Sequence, residues 1–385
     1  MAETEHDCPF EIEHALRRLV ELEGSDLHLK VGAAPLFRIH GVLQHPHADV
    51  PLSAEDTHRA VHDVLHDPAK LAEFADEHEV DFSYEIPGVA RFRMNAFQQR
   101  GVISLACRAI PHAVSTIEEL SLPPVIRELA DEERGIVLLT GTTGSGKSTT
   151  LAAMIDHINE TKSRHVVTIE DPIEFVHRDK RSVINQREVG MDTASFKRAL
   201  RRVLRQDPDV ILIGEMRDEE TVQTALSAAE TGHLVLSTIH TVDASESINR
   251  LLDFFPPHQH AQARAMIAGT IKGVVSQRLV AGSHGGRVAV CEVMRTTGRV
   301  RDMIMDPAQT GRLIEVIADG QYYGMQTFDQ ALFDHVKAGR ISFEEAVRTA
   351  SSPHDFKLLM QADGRRRTTM EDAADAAERR TPAGV

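Results

Sequence analysis

The chain has 385 residues, 42% of them hydrophobic and 26% charged, which fits a soluble globular protein long enough for two domains with their own cores. No apolar run approaches the length that spans a bilayer, and the acidic start Met-Ala-Glu-Thr-Glu-His-Asp lacks the apolar segment of a secretory signal. A net charge of −15 gives no sign of a nucleic-acid binder at the level of the whole chain, and no tryptophan and three tyrosines leave little aromatic material for base stacking; the dispersed Cys8, Cys107 and Cys291 form neither a disulfide framework nor a C-x-x-C site, as suits a reducing cytoplasm.

In chain order, apolar spacing predicts an amphipathic helix over residues 9–23, with Phe10, Ala15, Leu16, Leu19 and Val20 on one side. Leu27-His-Leu-Lys-Val31 alternates like a half-buried strand, and Leu36-Phe-Arg-Ile-His40 is a second candidate before Gly41. Ser53 is placed to cap a helix over residues 53–66, with Glu55 and Asp56 in its first turn. His58, His62 and His66 share one face of that helix. With no acidic or cysteine partner fixed nearby, they read as a solvated face rather than a metal site. Residues 80–84, 90–97 and 102–110 are further strands. Together, residues 1–110 make a small α+β domain.

Residues 111–134, with Pro123-Pro124 and the acidic Asp131-Glu132-Glu133, read as a linker. From Gly135 strands alternate with helices, which argues a parallel sheet. The strand candidates are residues 136–140, 165–170, 210–214 and 234–239. The helix candidates are 147–159, 195–205, 219–230 and 244–254. Beyond Phe255-Pro256-Pro257 the chain reads as mainly helical, so that residues 135–362 form one α/β domain with C-terminal helices. Residues 363–385 are polar and charged and read as a disordered tail.

The sharpest motif is Gly141, Thr142, Thr143, Gly144, Ser145, Gly146, Lys147, Ser148 and Thr149, which fits G-x-x-x-x-G-K-[ST] between an apolar strand and a helix. Glycines let the backbone curl so that its N–H groups converge on phosphate oxygens, and the helix aims its positive end at the same anion. Lys147 suits the β- and γ-phosphates of ATP, and Ser148 offers a hydroxyl to Mg²⁺. Hydrolysis also needs acids at neighbouring strand ends. Glu215, after Val210-Ile-Leu-Ile-Gly214, and Glu170, after Val166-Val-Thr-Ile169, are so placed, as metal-holding or water-orienting carboxylates. Asp209 starts its strand and lies at the wrong end. A third strand is bracketed by His233 and His240; His240, at its far end, is the better placed to meet a γ-phosphate.

Four segments in order then carry a resemblance. They are residues 141–149, Thr168-Ile-Glu-Asp-Pro-Ile-Glu174, Asp209-Val-Ile-Leu-Ile-Gly-Glu-Met-Arg-Asp218 and Thr231-Gly-His-Leu-Val-Leu-Ser-Thr-Ile-His-Thr241. They resemble the Walker A, Asp box, atypical Walker B and His box of the secretion ATPase superfamily. Gly24-Ser-Asp-Leu-His-Leu29, Ala90-Arg-Phe-Arg-Met-Asn-Ala-Phe97 and Gly324-Met-Gln-Thr-Phe-Asp-Gln330 are similar to segments of its type IV pilus retraction (twitching motility) ATPases.

The resemblance implies an α/β fold, with a RecA-like P-loop ATPase domain preceded by a smaller PAS-like α+β domain. It also implies a homohexameric ATPase that uses ATP and Mg²⁺ to drive an inner-membrane pilus platform protein. Such a motor is cytoplasmic and peripheral at the inner face of the membrane through the platform; the acidic composition gives no reason to expect a nucleic-acid partner. In this scheme Glu215 and Glu170 share the catalytic and metal roles, and His240, with His233 supporting, contacts the γ-phosphate. Arg91, Arg93 and Arg108 are candidates for reaching the phosphates. With Cys291 the one cysteine downstream of the P-loop, the four-cysteine zinc module usual in assembly and type II secretion motors is missing, which favours a retraction-type protein. Gly298-Arg-Val-Arg-Asp-Met-Ile-Met-Asp306 stands where retraction motors carry A-I-R-N-L-I-R-E; Arg301 and Ile304 fit it, Asp302 and Met305 depart. An assembly or type II secretion motor, or an ATP-binding regulator with negligible turnover, is the alternative.

Overall fold

The computed structural model describes residues 10–45, 50–110 and 114–362; the expected tail over 363–385 lies outside them. The chain divides into two compact units, Met1–Ala113 with Glu174–Val176, and Val114–Ile173 with His177–Val385. Among the described residues no helix is long and apolar enough to cross a membrane.

The first unit is built on an antiparallel sheet of β1 (Gly24–Lys30), β2 (Leu36–Ile39), β3 (Val42–Gln44), β4 (Glu79–Ile86), β5 (Ala90–Gln99) and β6 (Val102–Ile110), in the order β3-β2-β1-β6-β5-β4. Alternation along β5 turns Phe92, Met94 and Ala96 into the core and leaves Arg93 outside. Among the described residues three helices accompany the sheet: α1 (Ile12–Glu21), α2 (Ala54–Val64) and α3 (Pro68–Glu77). Ser53 caps α2 as expected, in a capping box closed by Asp56. Sequence reading misses β3 and α3. The start of α3 is nonetheless written in Asp67-Pro68, a capping carboxylate followed by a proline in the first turn.

The second unit has a seven-stranded sheet. Its strands are β7 (Gly135–Thr140), β8 (His165–Glu170), β9 (Val183–Glu188), β10 (Val210–Ile213), β11 (Leu234–Ile239), β12 (Ile271–Ala281) and β13 (Arg287–Arg295), ordered β13-β12-β7-β11-β10-β8-β9. All neighbours are parallel except β12 and β13. Every residue of β7, β10 and β11 is buried, the mark of a sheet covered on both faces. Its helices are α4 (Val125–Ala130), α5 (Lys147–Thr161), α6 (Phe196–Val203), α7 (Glu219–Glu230), α8 (Ala244–Asp253), α9 (His260–Thr270), α10 (Gly298–Met305), α11 (Leu313–Asp319), α12 (Phe328–Lys337) and α13 (Phe343–Thr349).

Two readings are amended here. The stretch after Pro257 is mainly helical, as expected, but it also holds β12 and β13, a hairpin that adds two strands to the sheet and that the sequence reading misses. Its turn holds Gly285 and Gly286 at φ +87 and +70, between valine-rich runs that pair over nine positions from Gly273↔Arg295 to Ala281↔Arg287. Residues 114–134 are not a free connector. Ile117, Leu122, Val125, Ile126, Leu129 and Ala130 are buried with β7 and α5 residues in the second unit's core.

Leu236 is fully buried in β11, the middle strand of the seven. Leu236→Ala is expected to lower unfolding free energy by about 2–5 kcal/mol, because the sheet centre cannot collapse around the lost volume. Urea denaturation monitored by circular dichroism measures it; a loss below about 1 kcal/mol would show that the centre repacks.

Candidate active site

Register decides what meets at the carboxyl edge of the second sheet. Thr140 lies opposite Ile239, Ser237 opposite Ile213, and Ile213 opposite Ile169. The segments leaving β7, β11, β10 and β8 therefore emerge side by side, at the edge where open α/β sheets bind ligands. These segments carry the P-loop, His240, Glu215 and Glu170. Asp209 lies at the opposite end, where its carboxylate accepts from Arg164 at 3.0 Å and the His165 N–H at 2.9 Å. His233 is at that end too, its ring 2.9 Å from the Ala228 carbonyl and its own carbonyl bonded to the Gly135 N–H. The structure does not bring His233 to the P-loop; the length of β11, about 20 Å, separates its ends.

The P-loop starts directly after the buried Thr140. Gly141 has φ +139, and a Cβ there would stand 2.4 Å from the Gln277 carbonyl oxygen, so only glycine fits. Lys147 is 8% exposed, and its ammonium donates to the Gly141 and Thr142 carbonyls at 2.8 and 2.9 Å. Ser145 is buried, and its hydroxyl has no hydrogen-bond partner among the described residues. A buried hydroxyl without a partner is costly, and an incoming phosphate oxygen would satisfy it. A cavity of about 560 Å³ lies beside the loop, lined by Gly146, Thr149, Thr150, Gln277, His284 and Arg287 among others. Its size suits a nucleoside.

Glu215 follows Gly214 and is held from two sides. Arg217 donates to Oε2 at 2.8 Å, and His240 Nε2 lies 3.3 Å from Oε1. The strand that delivers His240 also braces the backbone that delivers Glu215: Ser237 and Thr238 donate their hydroxyls to the Ile213 and Gly214 carbonyls at 2.8 and 2.7 Å. Glu170 accepts from the Thr168 hydroxyl at 2.6 Å and from Gln186 at 3.1 Å. Asp218, the last residue of the Walker B-like segment, caps α7 through the Thr221 N–H.

The three arginine candidates lie in the first unit. Arg93 and Arg108 are register partners on β5 and β6, and Arg108 in turn faces Asp26 on β1, which faces Arg38 on β2. One cross-strand row thus holds three cations and one carboxylate, an excess that favours an anionic ligand. Arg108 donates to Asp26 at 2.8 Å while staying 70% exposed. Burial alone would raise the Asp26 pKa, but the Ser25 hydroxyl and Arg108 outweigh it and hold the carboxyl below its usual range. Arg91 stands apart from the row, with its charge 3.7 Å from Glu85. His58, His62 and His66 lie on or just past α2. Among the described residues no three His, Cys, Asp or Glu side chains are grouped to hold a metal ion.

Sequence reasoning misses Gln277, which is 2% exposed and bonded to both Ser145 and Thr150. A polar residue inside the apolar run Val274-Val-Ser-Gln-Arg-Leu-Val280 was the available signal, since such a side chain needs buried partners.

Comparison with known proteins agrees with this geometry. The family model for type II/IV secretion system proteins matches residues 91–348. The chain is 46% identical over 332 residues to the type IV pilus retractation ATPase PilT of Pseudomonas aeruginosa, across 86% of this chain and 96% of the relative. It is 40% identical over 352 residues to the type IV pilus ATPase PilU of the same organism, across 91% of each. The fold is similar to that in a crystal structure of the pilus retraction motor PilT with bound ADP, at a TM-score of 0.82 and 43% identity over 90% of this chain and 98% of that one.

The segment after His240 is tied down by buried polar bonds. Thr241 shares a hydrogen bond with Ser247 at 2.7 Å, and the Ala244 N–H at the start of α8 donates to Glu292 at 3.0 Å. Burial pushes the Glu292 carboxyl up to about 7, against the opposing pull of that N–H. Its folded pKa exceeds the ordinary value of 4.5, so the folded state keeps a proton that the unfolded state releases. Its contribution is fully present below about pH 4.5 and is lost as pH rises through about 7. Glu292→Gln should abolish that loss, worth on the order of 2–3 kcal/mol. Melting temperatures at pH 5 and pH 8 check it: the variant should gain on wild type at the higher pH, and an equal gap at both would refute the assignment.

Proposed function

The chain belongs to the type II/IV secretion system protein family, as an ATP hydrolase, and from that premise we propose that it forms a homohexameric ring whose ATP turnover powers type IV pilus retraction. One observation carries the reading: a P-loop, the Glu215–His240 pair and Glu170 emerge from adjacent parallel strands at one sheet edge.

In this reading the nucleoside occupies the cavity beside Gly146, Thr149 and Thr150, and the phosphates lie against the loop. Lys147 exchanges its loop carbonyls for β- and γ-phosphate oxygens. Ser148, with Glu170 and Glu215, would hold Mg²⁺, which when bound supplies charge neutralisation on the phosphates. Glu215 orients and deprotonates the attacking water, with His240 3.3 Å away to steer its carboxylate or meet the γ-phosphate. The excess positive charge of the Arg93–Arg108 row suits those arginines to stabilise transferring phosphate. Rings of this kind act on an inner-membrane platform protein, which would hold this one peripherally at the inner face of the membrane.

Helix α10 bears on the direction of work. Ile304, which fits the retraction motif, is buried, and Arg301 Nε donates to the Ala268 carbonyl at 3.2 Å. The departing Asp302 and Met305 are both exposed. The departures thus alter the surface of the helix and leave its packing intact.

Lys147→Ala and Glu215→Gln should each lower ATP turnover about 100-fold or more, the Glu215 variant keeping its ADP affinity. A phosphate-release assay decides it; wild-type turnover no faster than both variants would sink the motor reading. Deleting the gene separates retraction from assembly. More numerous, static surface pili are expected, and bald cells would assign the protein to assembly.

A further inference from the structure

Gln277 sits on β12 with its side chain fully inside the second unit, and its amide makes two bonds that bracket the helix end of the P-loop. Nε2 donates to the Ser145 carbonyl at 2.9 Å, and Oε1 accepts from the Thr150 hydroxyl at 2.8 Å. The orientation of the amide is dictated by its partners. A carbonyl only accepts, so the NH₂ must face Ser145, and the Thr150 hydroxyl is free to donate to the remaining oxygen. A Cβ on Gly146 would stand 2.7 Å from Nε2, and its φ of +88 favours glycine there whatever the space.

The mount is stiff. Ser276 on the same strand accepts the Thr140 hydroxyl at 2.9 Å, just before the loop. Arg278, pointing to the other side of the strand, lies over the Phe328 ring at 3.9 Å and donates to the Thr349 carbonyl at 3.3 Å. Consecutive residues of β12 therefore anchor the loop on one side and the C-terminal helices α12 and α13 on the other.

We propose that Gln277 is a positioning residue that sets the shape of the phosphate-binding loop and thereby the affinity for nucleotide. The C=O and N–H of one trans peptide point in opposite directions. Holding the Ser145 carbonyl on Gln277 therefore turns the Gly146 N–H away from β12, where it can serve a phosphate oxygen. Gly146, at φ +88, offers little resistance to rotation of that peptide, so the restraint has to come from outside the loop. Gln277 supplies it before nucleotide arrives, and binding then spends less free energy on ordering the loop. Phosphates before and after hydrolysis meet the same N–H, so the effect falls on binding rather than on the chemical step.

The inference rests on the P-loop being the nucleotide site, and the experiment separates the two. Full-length protein is titrated with a fluorescent ADP analogue and assayed for steady-state ATP hydrolysis as wild type, Gln277→Leu and Gln277→Met. The second variant keeps the unbranched shape of glutamine. Failure of the wild type to bind ADP would refute the nucleotide site itself. With that site intact, both variants should raise the ADP Kd and the ATP KM about tenfold, the loss of one buried hydrogen-bonded restraint, with kcat within about threefold of wild type. Melting temperatures without nucleotide should fall modestly, because the Ser145 carbonyl and the Thr150 hydroxyl lose a buried partner, with both variants still folded at the assay temperature. Wild-type ADP affinity in either folded variant overturns the proposal. A parallel fall of kcat and affinity, or loss of the fold in both, also overturns it, because each makes Gln277 an ordinary core residue.

Discussion

The parallel register of β7, β11, β10 and β8 is the constraint on which the rest of the site depends. Parallel strands in register end together, so four loops that are far apart in sequence share one edge. Buried polar bonds help fix that register. β7, β10 and β11 are buried on both faces, and inside that frame Ser237 and Thr238 bond the Ile213 and Gly214 carbonyls while Thr140 bonds Ser276. The candidate catalytic groups stand at these strand ends: Glu170 as the last residue of β8, and Gly141, His240 and Glu215 within two residues beyond β7, β11 and β10.

Within this apolar frame a few buried polar groups hold the loops. Each would be costly alone, so each fixes a geometry by demanding its partner. Ser237 and Thr238 brace the backbone ahead of Glu215, Glu292 receives the start of α8 after His240, and Gln277 grips the P-loop. Two of these grips, Gln277 and Glu292, come from β12 and β13, the hairpin that extends the sheet beyond β7. The C-terminal part of the chain is thus tied to the P-loop by contacts rather than by sequence proximity.

Much of the fold is legible in the amino-acid sequence. The alternation of residues 90–97 and 102–110 placed β5 and β6, and the bounds of β8, β11 and α7 coincide with their expected ones because apolar period and caps agree there. The β12–β13 hairpin was not legible in the same way. Its strands are buried on both faces over long stretches, so alternation is lost and the run reads equally as a buried helix. Residues 114–134 misled through Pro123-Pro124, which read as a break but stand immediately before α4.

The amino-acid sequence alone determined the P-loop, the acids after two apolar strands, the histidine after a third and the family to which they belong. All are local patterns, readable because backbone curling, strand burial and helix capping depend on near neighbours. Tertiary structure decided which residues cooperate. It joined His240 to Glu215, left His233 at the far end of β11, aligned Arg93 and Arg108 with Asp26 and Arg38, and brought Gln277 to Ser145 across 132 residues of chain. Those pairings follow from strand order and register, which the burial of the whole sheet selects and no short stretch of sequence encodes.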